Sequence, residues 1–115
     1  PGVHANGRMT LGENIADHGG LQVSYQAFKK ATAAVPLEVK DGFTPEQRFF
    51  LAYANVWANN TRPEAILQLT KIDVHSLGKW RVDAALPHIA AWYEAFGITE
   101  KDPMYVPVAE RVSIW

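Results

Sequence analysis

The chain has 115 residues, of which 48% are hydrophobic and 20% charged, and these values are typical of one ordinary globular domain. The formal net charge of −1 argues against nucleic-acid binding, for which a basic excess is the usual sign, and no apolar run reaches the length of a membrane span. The absence of cysteine excludes disulfides and thiolate metal sites.

The first predicted helix runs from Thr10 to about Ala34. Thr10 is followed three residues later by Glu13, which matches a capping box with Thr10 as the N-cap. Apolar residues then recur at roughly helical spacing: Leu11, Ile15, Leu21, Tyr25 and Phe28. Pro36 and the polar run to Gly42 predict that a loop follows.

The second predicted helix begins at residues 44–47. This stretch provides an N-cap threonine, a proline at the first helical position and a glutamine at the third. One apolar stripe follows before Asn59 and Asn60 end the helix: Phe49, Phe50, Tyr53, Ala54 and Trp57. Pro63 then predicts the start of a shorter third helix.

The remainder of the chain has weaker patterns. Residues 72–83 lack a clear period and predict a loop with at most one turn. Pro87 predicts the start of a last helix, with Gly97 as the residue that ends it. The tail from Thr99 is expected to be irregular, and the large side chain of Trp115 is expected to pack. The sequence therefore predicts a mainly α chain with little or no strand.

Two acidic residues of the first helix are the first candidates for chemistry. Glu13 and Asp17 stand four residues apart, so both carboxylates project from one helix face. They are either a capping-box glutamate and a solvated aspartate, or parts of a metal site. In the second case Glu13 is a hard oxygen ligand, and Asp17 accepts a hydrogen bond from a histidine ligand and orients it. The residues alone leave both interpretations open.

His75 and Arg81 are the next candidates. His75 follows Asp73 by two residues, and this acid can fix its tautomer or favour its protonated form, unless His75 is simply a surface histidine. Arg81 can clamp a carbonyl or carboxylate with its planar fork, although an ordinary surface arginine is the alternative. The other histidines show no paired ligand spacing and are interpreted as structural or surface groups: His4, His18 and His88.

The chain contains no His-Glu-x-x-His motif, no phosphate-binding glycine loop and no nucleophile elbow. Glu13 is therefore its only well-motivated metal ligand. Because a catalytic zinc takes three protein ligands, the chain alone cannot assemble such a site.

Residues 6–7 and 10–21 together closely resemble the neprilysin family of zinc metalloendopeptidases. Four further stretches match in the same order: 45–51, 56–57 with 62–64, 73–82, and 94–97 leading to the closing tryptophan. The match covers essentially the whole chain. It implies the C-terminal helical part of a thermolysin-like (gluzincin) catalytic domain, so that residues 1–115 are one fragment of that domain and Trp115 is its natural C-terminus.

By this resemblance, Glu13 is the third ligand of a catalytic zinc ion. Asp17 orients a zinc-bound histidine that belongs to an upstream His-Glu-x-x-His motif. The implied activity is hydrolysis of peptide bonds by a metal-activated water, with that motif's glutamate as the general base. The partners implied are peptide substrates and the upstream remainder of the same polypeptide, and the isolated fragment is expected to be inactive.

The resemblance also implies roles for the other site residues. His75 stabilises the oxyanion of the tetrahedral intermediate, and Asp73 holds its imidazole. Arg81 binds a backbone carbonyl of the substrate. Val56 and Trp57 help to line the pocket for the side chain that follows the scissile bond.

Three positions where animal members have cysteines hold Ala58, Ile98 and Ser113. This departure implies a bacterial member in an extracytoplasmic location (periplasmic, secreted or membrane-anchored), with a cytoplasmic location as the alternative. A fragment would expose the surface that meets the upstream helices, so self-association is expected. The alternative function is a non-catalytic helical interaction module or a degenerate relative, and an upstream sequence without His-Glu-x-x-His would decide for it.

Overall fold

The computed structural model describes residues 2–114, and within this range it contains helices and no strand. Five α-helices follow one another along the chain: Gly7–Thr32 (α1), Pro45–Val56 (α2), Pro63–Ile72 (α3), Gly78–Asp83 (α4) and Ala90–Phe96 (α5). Single 3₁₀ turns lie at Leu86–His88 and Val108–Glu110. The mainly α fold class is therefore confirmed.

Helix α1 begins one turn earlier than the sequence predicts. The N-cap is Asn6, whose side-chain oxygen accepts a hydrogen bond from the backbone N–H of Met9 at 3.2 Å. Thr10 lies inside the helix, where its buried hydroxyl donates to the carbonyl of Asn6 at 3.3 Å. The predicted capping box of Thr10 and Glu13 is thus wrong, and Glu13 has no capping role.

Helices α2 and α3 begin where predicted. The backbone N–H of Gln47 donates to the Thr44 hydroxyl at 3.1 Å, and the Gln47 side-chain oxygen accepts from the Thr44 N–H at 3.0 Å. This reciprocal capping box, with Pro45 at the first helical position, fixes the start of α2. Pro63 opens α3 in the same way.

A short helix, α4, lies within the stretch that the sequence predicts as a loop. No side chain caps its first turn, which explains why no start signal is visible. A Cβ atom on Gly78 would lie 2.6 Å from the carbonyl oxygen of Trp57 and 2.9 Å from Nδ2 of Asn59. Glycine at this position therefore lets α4 pack directly against the turn that follows α2.

The last helix, α5, starts later than predicted. Pro87 lies in the 3₁₀ turn before α5, which itself begins at Ala90. Gly97 ends α5 in the left-handed conformation at φ 62°, as expected. The predicted packing of Trp115 lies outside the described residues.

The hydrophobic core gathers side chains from α1, α2, α5 and the turn before α5. Its buried members are Leu21, Phe50, Leu86, Ile89, Trp92 and Tyr93. The first half of α1 contributes little to this core, since Leu11 and Ile15 are 55% and 44% exposed. Of the predicted apolar face of α1, Leu21 is therefore buried and Tyr25 and Phe28 are partly buried, whereas Leu11 and Ile15 are exposed.

Candidate active site

The predicted site residues meet on one face of the molecule. Glu13 and Asp17 project from the first half of α1. Asp73 and His75 lie on the connection between α3 and α4, and Arg81 lies on α4. The chain brings α4 and this connection alongside α1, so residues about 60 positions apart in sequence come into contact.

The imidazole of His75 is held between two carboxylates. Its Nδ1 lies 2.9 Å from Oδ1 of Asp73, and the same oxygen accepts the backbone N–H of His75 at 2.9 Å. These hydrogen bonds, the backbone one first, lower the pKa of Asp73. An ionised Asp73 favours a proton on Nδ1 and directs Nε2 toward Glu13, whose Oε2 lies 3.3 Å away.

Arg81 and Asp17 form a two-point pair. Nε of Arg81 donates to Oδ2 and Nη2 donates to Oδ1, each at 2.6 Å, and the two side chains are only 14% and 17% exposed. The guanidinium carbon lies 3.7 Å from the ring centre of Trp57, and the hydroxyl of Tyr53 donates to the Arg81 carbonyl at 2.8 Å. Three residues from α1 and from the C-terminal part of α2 thus fix the position of Arg81.

The residues predicted to line a substrate pocket divide between two depressions. Trp57 lines a cavity of about 230 Å³ together with Asp73, His75 and Arg81. Val56 is 70% exposed and lines a neighbouring depression with Asp17. Trp57 therefore shares a cavity with Asp73, His75 and Arg81. Val56 does not line that cavity, and Asp17 is the one candidate site residue in the depression that Val56 lines.

Glu13 is the one predicted metal ligand, and its environment suits that role. Its side chain is 46% exposed, and its one ion-pair partner among the described residues is His75. Within residues 2–114, no group of three histidine, aspartate or glutamate side chains lies close enough to hold a metal ion. A catalytic zinc takes three protein ligands, so the chain fits as the donor of one oxygen ligand, and the other two must come from elsewhere.

Sequence reasoning overlooked two residues at the site. Asn14 accepts a hydrogen bond from the hydroxyl of Ser76 at 2.8 Å, across 62 residues of sequence. Tyr53 was assigned to the apolar stripe of α2, yet its hydroxyl holds the backbone of Arg81. Neither contact could be predicted from periodicity, because both depend on how α4 packs.

The remaining histidines lie away from Glu13. His18 is 5% exposed, its ring lies 6.0 Å from that of His88, and burial followed by the charge of His88 lowers its pKa. His88 accepts the backbone N–H of Val112 on Nδ1 at 3.0 Å. The structural interpretation of these two residues is consistent with this packing.

Comparison with known proteins relates the chain to one family of peptidases. A family model described as "Peptidase family M13" matches residues 2–112. Human membrane metallo-endopeptidase-like 1 is 40% identical and matches 97% of the chain, and human neprilysin is 37% identical and matches 99%. The chain spans only 14% and 15% of the length of these two relatives.

A similar solved structure is the zinc metalloprotease Zmp1 of Mycobacterium tuberculosis, determined by cryo-electron microscopy in an open state. The two structures superpose with a TM-score of 0.92 at 34% sequence identity. The match covers 97% of this chain and 17% of the Zmp1 chain. A crystal structure of Zmp1 with an inhibitor matches equally well.

The fold is that of the C-terminal helical part of a zinc peptidase. Within this class, the chain belongs to peptidase family M13, the neprilysin family. None of the helices formed by residues 2–114 is long and apolar enough to cross a membrane.

Proposed function

We propose that this chain is the C-terminal part of the catalytic domain of a zinc-dependent endopeptidase that hydrolyses peptide bonds in oligopeptides. The observation that carries the proposal is the convergence of Glu13, His75 and Arg81 on one face, each beside a carboxylate or imidazole that orients it. Membership of family M13 supports the same conclusion.

In this proposal, Glu13 supplies one oxygen ligand to zinc, and an upstream His-Glu-x-x-His motif supplies two histidines and the general base. A zinc ion held by these ligands would supply an activated water and would polarise the scissile carbonyl. Asp17 orients one of those histidines. Each carboxylate oxygen of Asp17 accepts only one hydrogen bond from Arg81, and an ionised carboxylate has about four acceptor positions, so Asp17 can also accept an imidazole N–H.

His75 and Arg81 act on the substrate. His75 donates a hydrogen bond from Nε2 to the oxyanion, and Asp73 holds the ring in place through Nδ1. Arg81 uses two of its five N–H groups for Asp17, which leaves others for a backbone carbonyl of the substrate. Val56 and Trp57 line the pocket for the side chain that follows the scissile bond.

The test is to express the full-length protein and assay it against a mixture of oligopeptides, with and without a zinc chelator. The expected result is cleavage that the chelator abolishes and added zinc restores. The isolated 115-residue chain should bind zinc weakly and show no cleavage. An upstream sequence without His-Glu-x-x-His, or cleavage by the isolated chain, would overturn the proposal.

The exposed first half of α1 supports a further part of this proposal. Leu11 and Ile15 lie on the same helix as Glu13, with the half-exposed Trp80 nearby in a shared depression. We assign this apolar surface to contact with the upstream polypeptide, so the isolated chain should self-associate. Gel filtration that gave a monomer at all concentrations would contradict this assignment.

We also propose an extracytoplasmic location for the whole protein. The name of a similar human protein, membrane metallo-endopeptidase-like 1, places that relative at a membrane. Fractionation of cells that express the full-length protein should recover it outside the cytoplasm. Recovery in the cytoplasmic fraction would refute the assignment.

A further inference from the structure

A single hydrogen bond joins the residues that directly follow two candidate site residues. Asn14 follows Glu13 on α1, and Ser76 follows His75 on the connection to α4. The Ser76 hydroxyl donates to Oδ1 of Asn14 at 2.8 Å. The distance between the carboxylate of Glu13 and the imidazole of His75 therefore depends on a contact one residue further along each segment.

The side chain of Asn14 is itself held in one orientation. Its Nδ2 donates to the hydroxyl oxygen of Thr10 at 3.3 Å, one turn earlier on α1. Thr10 is 5% exposed, and its hydroxyl hydrogen is donated to the carbonyl of Asn6. Because this hydroxyl can then only accept from Asn14, the amide must present Nδ2 to Thr10 and Oδ1 to Ser76.

Other contacts of residues 73–76 do not attach this segment firmly to α1. Both hydrogen bonds from His75 to Asp73 lie within the segment and fix its internal shape. The contact of His75 with Glu13 joins side chains that are 43% and 46% exposed, and exposed ion pairs stabilise little. Apart from that contact, the Asn14–Ser76 hydrogen bond is the one polar link to α1 in the described structure.

We infer that Asn14 is a positioning residue, which acts through Ser76 to set the distance of His75 from Glu13. This inference rests on the proposed peptidase function. An imidazole that stabilises developing charge must lie within hydrogen-bonding distance of it, and a displacement of about 1 Å can cost up to about 100-fold in rate. The amide provides this alignment without adding a charge beside the metal ligand.

The inference is tested in the full-length enzyme with Asn14→Ala, Ser76→Ala and the double variant. Each single variant should lower kcat about tenfold with KM changed less than about twofold, because the affected group acts in the transition state. The double variant should be no slower than the slower single variant, since both remove the same contact. Ser76→Thr keeps the hydroxyl and should retain most of the activity.

A second measurement does not depend on activity. Hydrogen exchange of the peptide that covers residues 73–77 should be faster in Asn14→Ala and Ser76→Ala than in the wild type. Thr32→Ala is the matched control, because it removes a hydrogen-bonding hydroxyl from the far end of the same helix. It should change neither exchange at residues 73–77 nor kcat. The zinc content of every variant should equal that of the wild type.

The outcomes distinguish a failure of the positioning role of Asn14 from a failure of the proposed peptidase function. Unchanged exchange at residues 73–77 would show that Asn14 does not hold this segment. Faster exchange with unchanged kcat, or equal losses in Thr32→Ala, would refute the positioning role. A wild-type enzyme without peptidase activity would instead refute the proposed function, while the exchange measurement would still decide whether Asn14 holds the segment.

Discussion

Arg81 and Asp17 lie 64 residues apart in sequence and share two hydrogen bonds of 2.6 Å, which fasten α4 to the first half of α1. The pair is mostly buried, and the guanidinium carbon lies 3.7 Å from the centre of the Trp57 ring. The same arginine is therefore placed by α1 and α2 before any substrate arrives. This arrangement fits a residue that must present its remaining N–H groups in a fixed direction.

Arg81→Lys should raise KM about tenfold in the full-length enzyme and change kcat less. Lysine keeps the charge but cannot make the two-point contact with Asp17 or lie flat on Trp57, so binding of a substrate carbonyl is weakened in the ground state and transition state alike. Steady-state kinetics with an oligopeptide substrate measure this. Arg62→Lys, at an exposed position before α3, is the control and should leave both constants unchanged. A fall in kcat alone would contradict a substrate-binding role for Arg81.

His75→Ala should lower kcat by about 100-fold or more with little change in KM. In the proposed function this side chain stabilises charge that develops only in the transition state, and loss of such a group lowers kcat rather than raising KM. His4→Ala, in the exposed lead-in to α1, provides the matched control. If His75→Ala raised KM and left kcat unchanged, His75 would be a substrate-binding residue instead.

Glu13→Ala in the full-length enzyme should abolish tight zinc binding. In the proposed site this change removes one of three protein ligands, and two histidines alone would not hold the ion against dialysis. Metal analysis after dialysis is the measurement. Glu64→Ala removes an exposed carboxylate from the first turn of α3 and should keep one zinc per molecule. Full zinc occupancy in Glu13→Ala would exclude Glu13 as a ligand.

The buried His18 should make stability depend on pH. Burial lowers its pKa below the usual value of 6.5, with the nearby charge of His88 as a second cause. The unfolded chain therefore binds more protons than the folded chain below about pH 6.5, so the free energy of unfolding falls as the pH decreases through this range. His18→Asn should flatten this part of the pH profile, measured by urea denaturation, whereas His4→Asn should not. An unchanged slope in His18→Asn would show that other groups cause the dependence.

Gly78→Ala should destabilise the fold by about 1–3 kcal/mol, because the new Cβ collides with backbone and side-chain atoms of the turn after α2. Urea denaturation measures the change. Gly7→Ala is the control, since a Cβ there meets nothing within 4 Å and alanine favours the helix. Equal stability of Gly78→Ala and wild type would mean that α4 can shift away from Trp57 at little cost.

The parts of the fold that follow from local chemistry were predictable. The start of α2 depends on a capping box and a proline within four consecutive residues, and Gly97 ends α5 through its left-handed conformation. The first N-cap was misplaced, because Thr10 and Glu13 have the spacing of a capping box while Asn6 makes the actual capping bond. Helix α4 was missed because it has no capping side chain and its position depends on Gly78.

The candidate site divides in the same way. Glu13 and Asp17 are close in sequence, as are Asp73 and His75. That the two members of each set lie side by side could therefore be inferred from spacing. The bonds between Arg81 and Asp17, and between Ser76 and Asn14, join segments more than 60 residues apart. No local pattern encodes these distances, since they follow from the packing of α4 against α1.

Helix α1 has 26 residues, and its apolar core contacts begin at Leu21, beyond all the candidate site residues that it carries. The candidate site residues and the apolar core contacts of α1 therefore lie in different halves of one helix. A search by random substitution within residues 11–17 would therefore mainly disturb the candidate site and the apolar surface assigned to the upstream polypeptide, and would leave the core of this chain in place. Random substitution of the buried Leu21 and Phe50 would instead mainly yield unfolded chains.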